Sequence, residues 1–182
     1  MALWVTVAYS ALASSILINA GLVKLTSPAG LVRALREVFP AAPTVTPGAV
    51  RLYAVVEVGA GVGLLTLPTY RLASLLVAML GVCFAILGVA GRLAGSTVPC
   101  GCIGGHSDRP LGVANAVMGV ALVGVLPLSL LVSLPPTQGS DYSSGALVAT
   151  SLGSLLLSLW TSRRLALSLL RPASTSAGEG AQ

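Results

Sequence analysis

Five stretches of this chain are long, apolar and almost free of charge, and they constrain the fold more tightly than any other feature. They run over residues 2–23, 49–67, 72–90, 111–134 and 145–160. Crossing a hydrocarbon layer about 30 Å thick takes about 20 apolar residues of helix. Inside that layer every backbone N–H and C=O must be paired, which only helices and closed barrels achieve. None of the runs alternates polar and apolar residues as barrel strands do, so a helix is predicted for each. The fifth run is shorter and rich in serine, which suits either a crossing or a partly interfacial segment. The expected fold class is therefore all-α: a polytopic membrane helix bundle of four to five transmembrane helices. Residues 1–171 form one domain, and the small polar tail 172–182 is expected to be disordered.

Composition excludes the main rivals. Of 182 residues, 55% are apolar and 8% charged, against about 25% charged in a soluble domain. A soluble enzyme and a polar disordered chain are both poor fits. Aromatic residues make up 4%, too few for a base-stacking surface, so no nucleic-acid partner is expected. No Lys or Arg precedes the first run, which argues against a cleaved signal peptide. Small residues recur at helix-packing spacing in the pairs Gly59 and Gly63, Gly81 and Ala85, and Gly112 and Ala116. Such spacing lets membrane helices approach closely.

The connections differ in character. Pro28, Pro40, Pro43 and Pro47 bracket the first. Within it Leu31, Ala34, Leu35 and Val38 fall at i, i+3, i+4 and i+7, with Arg33, Arg36 and Glu37 elsewhere. That pattern predicts a short amphipathic helix lying in the interface. Five crossings with the N-terminus outside leave Arg71 as the one basic residue on the outer side. The excess of basic residues in cytoplasmic loops favours that orientation, and it puts the 91–110 loop on the cytoplasmic side.

That loop carries the reactive side chains. Cys100 and Cys102 flank a single glycine, and His106 follows. A disulfide across one residue closes a very small ring, and departure from relaxed geometry makes a disulfide easier to reduce. Gly101 helps by adopting dihedrals other residues avoid. Cys-Gly-Cys therefore suits an exchangeable dithiol better than a structural staple. The next helix is expected to start near 107–110, with Ser107 or Asp108 as cap and Pro110 in the first turn. A helix N-terminus, with Arg92 and Arg109 nearby, favours thiolate, and His106 is placed to shuttle a proton. On paper Cys100, Cys102, His106 and Asp108 also supply four metal ligands, but Cys-x-Cys is tighter than the usual spacing. The rival in which the loop cysteines are inert stays open. Cys83, in the middle of the third run, reads as a small packing residue.

Glu57 is the second informative residue, because Ala54, Val55, Val56 and Val58 surround it. A carboxylate at membrane depth costs about 2.5–3.5 kcal/mol on insertion scales and must face the bundle interior or be paired. Lys24 and Arg51 are its candidate partners, and Asn19 and Asn115 are further polar groups within the runs. A polar intramembrane site built from Asn19, Lys24 and Glu57 and a purely structural clasp are both consistent with this.

The ordered set Gly21-Leu22-Val23-Lys24-Leu25, Pro28, Glu57 followed by Gly59, and Cys100-Gly101-Cys102-x-Gly104 before the fourth run resembles the MauE family. These are methylamine-utilisation membrane proteins within the wider DoxX-like group, and the resemblance covers about residues 1–135. Ile103 departs from the phenylalanine common in the family after the second cysteine. The resemblance implies a multi-pass protein of the bacterial plasma membrane, the inner or cytoplasmic membrane. It implies a thioredoxin-like (MauD-like) partner and an exported redox protein as substrate, as in methylamine dehydrogenase maturation. By carry-over, Lys24, Glu57, Cys100 and Cys102 become the functional positions.

The favoured reading is a thiol–disulfide relay through Cys100 and Cys102, with His106 assisting. One alternative is a non-catalytic assembly factor that docks a thioredoxin-like partner. Another is a quinone-linked disulfide oxidase, in which a quinone near Glu57 is the one cofactor admitted; the lack of a second cysteine pair counts against it. A transporter or metal carrier is a weaker fourth. Direct oxidation of exported proteins needs the dithiol outside, whereas the charges put it inside. A relay carrying reducing equivalents across the membrane reconciles the two, as does a different span count.

Overall fold

A computed structural model describes residues 2–40, 45–98, 100, 110–131, 144–145, 148–149, 151–153 and 156. Most of the fifth run, the tail 172–182, Cys102 and His106 lie outside the described residues. The order is α1 (Ala2–Thr26), α2 (Ala29–Val38), α3 (Pro47–Gly63), a 3₁₀ turn (Leu67–Thr69), α4 (Tyr70–Leu93), α5 (Val113–Val123) and α6 (Val125–Leu131). The architecture is an all-α bundle. Among the described residues, three helical segments, Val5–Thr26, Tyr70–Leu93 and Val113–Leu131, are long and apolar enough to cross a membrane.

The second run forms a helix with other limits than 49–67. Thr46 caps α3 by accepting a hydrogen bond from the Ala49 amide at 3.2 Å, and Pro47 opens the first turn. At the far end the Thr69 hydroxyl donates to the Gly63 carbonyl at 2.9 Å. That satisfies a carbonyl the helix leaves open, and Pro68 follows. Seventeen residues of helix are about 25 Å long, somewhat less than the hydrocarbon layer.

Two close helix pairs make the bundle: α1 on α3 and α4 on α5, with α3 and α4 joining them. The α4–α5 approach uses the expected small residues. A Cβ on Gly81 would lie 2.7 Å from the Gly119 carbonyl oxygen, and one on Gly88 would overlap the Ala116 backbone. The α1–α3 approach uses different ones. Gly59 faces open space, while a Cβ on Gly21 would lie 2.9 Å from the Ala54 carbonyl oxygen and one on Gly61 3.2 Å from that of Ser14. Rotation of α3 about its axis, set by its partners, turns Gly59 outward. Buried hydroxyls add to this seam, with Ser14 donating to the Gly61 carbonyl at 2.7 Å.

The fourth run is interrupted. It divides into α5 and α6 at Gly124. Pro127 supplies no N–H for the Val123 carbonyl and its ring crowds that group. In the fifth run, Gly153 lies against Ser15 of α1.

The predicted amphipathic helix is α2. It buries Leu31, Val32 and Ala34 and packs on α3 and α4, so it closes one end of the bundle. The C-termini of α1 and α4 and the N-termini of α3 and α5 lie at that end.

Candidate functional site

Lys24 sits in the last turn of α1 and Glu57 in the middle of α3. The Lys24 Nζ donates to both carboxylate oxygens, at 2.8 Å to Oε1 and 2.7 Å to Oε2. The two side chains are 2% and 0% exposed, so this ion pair is screened from solvent on every side. The close approach at Gly21 lets it form, because it brings α1 within reach of α3 one turn before Lys24. Aromatic faces complete the surround. The ammonium lies 4.8 Å from the Phe84 ring centroid and 5.7 Å from that of Tyr53, within cation–π range. The two rings meet edge to face at 6.4 Å.

Arg51, the other candidate partner of Glu57, is exposed. Six residues of helix rotate it by about 240° from Glu57, so one face cannot carry both. Asn19 is half-buried, and its side chain makes no hydrogen bond to a described residue. It does not join Lys24 and Glu57, because five residues of helix turn it away from Lys24 by about 140°. Tyr53 and Phe84 were not singled out from the sequence. Tyr53 had a signal, since it precedes Glu57 by four residues and shares its face. Phe84 had none, because its place depends on how α4 packs.

The second site lies where α4 hands over to α5. Gly95, at φ +63°, takes the left-handed conformation that ends helices. The Gly95 amide donates to the Arg92 carbonyl and the Ser96 amide to that of Gly91, at 3.3 and 3.0 Å. This reversal brings Ser96 and Thr97 to Glu37 of α2. The Ser96 hydroxyl donates to one Glu37 oxygen, and the Thr97 amide to the other at 3.4 Å. The Ser96 hydrogen bond, more than the Thr97 and Val98 amides, holds the exposed Glu37 carboxyl below the ordinary carboxylate range.

Three residues beyond Thr97, Cys100 is buried in the core cluster. Its Sγ accepts a hydrogen bond from the Asn115 Nδ2 at 3.5 Å, and Asn115 is also buried. Asn115 occupies the first turn of α5. That helix begins at Val113 after Gly112, which makes no side-chain cap. The start expected near 107–110 is thus displaced; Pro110 precedes the helix, and Ser107 and Asp108 lie outside the described residues. Glycine at 112 enters extended, at φ 177°, and the helix follows directly. An open helix N-terminus and an amide donor both favour negative charge on a sulfur. Cys83 points outward from α4, apart from this arrangement. The Asn115–Cys100 contact was not legible beforehand, since 15 residues of loop and turn separate the two.

No curated protein and no solved structure matches the chain. The family model described as methylamine utilisation protein MauE matches residues 1–134. That span holds α1 to α6, the Lys24–Glu57 pair, the Cys-Gly-Cys motif and Asn115. The chain belongs to the MauE family.

Proposed function

We propose that this protein is an integral membrane thiol–disulfide relay in methylamine utilisation. Cys100 and Cys102 cycle between dithiol and disulfide. They exchange with a thioredoxin-like (MauD-like) protein and so support maturation of an exported redox protein. The observation that carries this reading is the amide donor that Asn115, in the first turn of α5, places on the Cys100 sulfur. An N–H donor near a helix N-terminus stabilises a thiolate, the form that exchange requires. Family membership and the apolar helices support a multi-pass protein of the plasma membrane.

The exchange balances. A thiolate of the partner attacks one sulfur of the Cys100–Cys102 disulfide, forming a mixed disulfide and releasing the other cysteine as thiolate. The partner's second thiolate then resolves the mixed disulfide. Two electrons pass from the partner dithiol, which becomes a disulfide, to this pair. The reverse sequence returns them. His106 serves as proton shuttle in this scheme. Lys24 and Glu57 hold α1 against α3, with the chemistry left to the thiols.

The test labels thiols in intact cells with a membrane-impermeant reagent, with and without reductant, beside Cys100→Ser and Cys102→Ser strains. Reductant-dependent labelling at these two cysteines, and loss of partner maturation in both strains, are expected. Maturation that proceeds normally in both strains would overturn the relay and favour the assembly-factor reading, in which helix-face variants fail instead.

A further inference from the structure

The stretch that carries Cys100 into the core is fastened by a different helix from the one it leaves. We propose that Glu37 of α2 is a positioning residue that anchors this stretch and so keeps the Cys100 sulfur against Asn115; its bearing on exchange rests on the relay reading above. Glu37 grips consecutive groups just after α4. The Ser96 hydroxyl donates to one carboxylate oxygen and the Thr97 amide to the other at 3.4 Å, and the Val98 amide adds to them. Successive donors converging on one anion make a site that a neutral side chain fills poorly. The carboxylate is not spent on a cation instead. Arg33 lies one turn before it and Arg36 beside it, yet Arg36 donates to the Val45 carbonyl at 3.1 Å. Among the described residues Glu37 forms no ion pair.

Beyond the anchor the stretch turns inward. Val98 packs against the core cluster and Cys100 lies within it, where its sulfur meets the Asn115 Nδ2 at 3.5 Å. Sulfur is a weak acceptor, so the contact with Asn115 does not by itself hold the stretch in place. Apolar burial is non-directional, so it favours depth without choosing where Cys100 comes to rest. The directional bonds are those to Glu37, and they make that choice. Through them the amphipathic α2, which packs on α3 and α4, is tied to the thiol.

The test uses the full chain in lipid nanodiscs with Cys83→Ser and Cys102→Ser, so that Cys100 is the one thiol. A small methanethiosulfonate reaches a buried thiol through local opening, so its rate reports how firmly the stretch is held. Glu37→Ala is expected to speed labelling about tenfold, as for loss of a charge-assisted hydrogen bond. Glu37→Gln, which keeps the length and one acceptor oxygen, should fall between Glu37→Ala and the parent. Ser96→Ala should speed labelling less, and adding it to Glu37→Ala should change nothing further, because both act through one contact. A second reporter, Ser74→Cys with all three native cysteines changed to Ser, sits buried near the opposite end of α4. Its labelling should not respond to Glu37→Ala. Equal acceleration at both reporters, or unchanged labelling of Cys100, would overturn the anchor. In cells, Glu37→Ala should lower maturation of the exported protein; undiminished maturation there, where the cysteine strains fail, would overturn its bearing on exchange. Faster Cys100 labelling together with normal maturation in both cysteine strains would uphold the anchor and sink the relay instead.

Discussion

Replacing Lys24 by Met should be among the most damaging single changes in this protein, and pairing it with Glu57→Leu should undo most of the damage. The ammonium and the carboxylate are 2.7 Å apart at nearest, and both side chains are essentially inaccessible. At a charge separation of about 4 Å and an effective dielectric of about 20, their attraction is about 4 kcal/mol. Removing one partner leaves the other as an uncompensated buried charge, which costs about 3–5 kcal/mol. Lys24→Met also forfeits the contacts of the ammonium with Phe84 and Tyr53. Removing both charges abolishes the attraction and the desolvation penalty together, so the double variant should lie within about 1 kcal/mol of the parent or above it. The assay is a double-mutant cycle on reversible unfolding in mixed micelles, read by helicity at neutral pH. The expected coupling is at least about 3 kcal/mol. Additive losses in the double variant, or a loss below about 1 kcal/mol for Lys24→Met alone, would refute the reasoning.

Two further outcomes can be checked by the same unfolding measurements. Gly81→Ala should destabilise by about 1–3 kcal/mol, because its Cβ would meet the Gly119 carbonyl oxygen at 2.7 Å. Gly59→Ala should be neutral or stabilise by up to about 1 kcal/mol, since nothing lies within 4 Å of its Cβ. Glu37 should give an acid-side dependence. Its carboxyl is held below the ordinary range when folded, so its contribution is present at neutral pH. That contribution fades as pH falls below about 4.3, the unfolded carboxyl's value, and through the lower folded one. Thermal midpoints of Glu37→Gln should therefore lack part of the acid slope of the parent.

Much of the candidate site was legible before any tertiary structure, and the reasons are local. Cys-Gly-Cys is a chemical statement whatever surrounds it. Glu57 announces a buried partner because its neighbours are apolar. The α2 stripe of Leu31, Ala34 and Leu35 repeats within ten residues, so its period is visible. The illegible parts all depend on which way a helix is turned. Gly59 and Gly61 are two residues apart, and only the rotation of α3 decides that Gly61 faces α1 while Gly59 faces away. Lys24 and Arg51 were equal candidates for Glu57 until the close contact at Gly21 settled which cation came within reach.

Length and hydropathy are sums over neighbouring residues, and they suffice for an all-α apolar bundle, for the amphipathic α2 and for the place of the dithiol loop between two long helices. Lipid requires each backbone to satisfy itself, so those helices owe little to one another. Pairings between helices are different. The Lys24–Glu57 clasp within its aromatic surround, the grip of Glu37 on the α4 exit and the contact of Asn115 with Cys100 join residues far apart in sequence. They follow from interhelical rotation and depth, which depend on small-residue contacts such as Gly21 on Ala54 and Gly81 on Gly119. No periodicity along one segment encodes those contacts, because each is a fit between two surfaces.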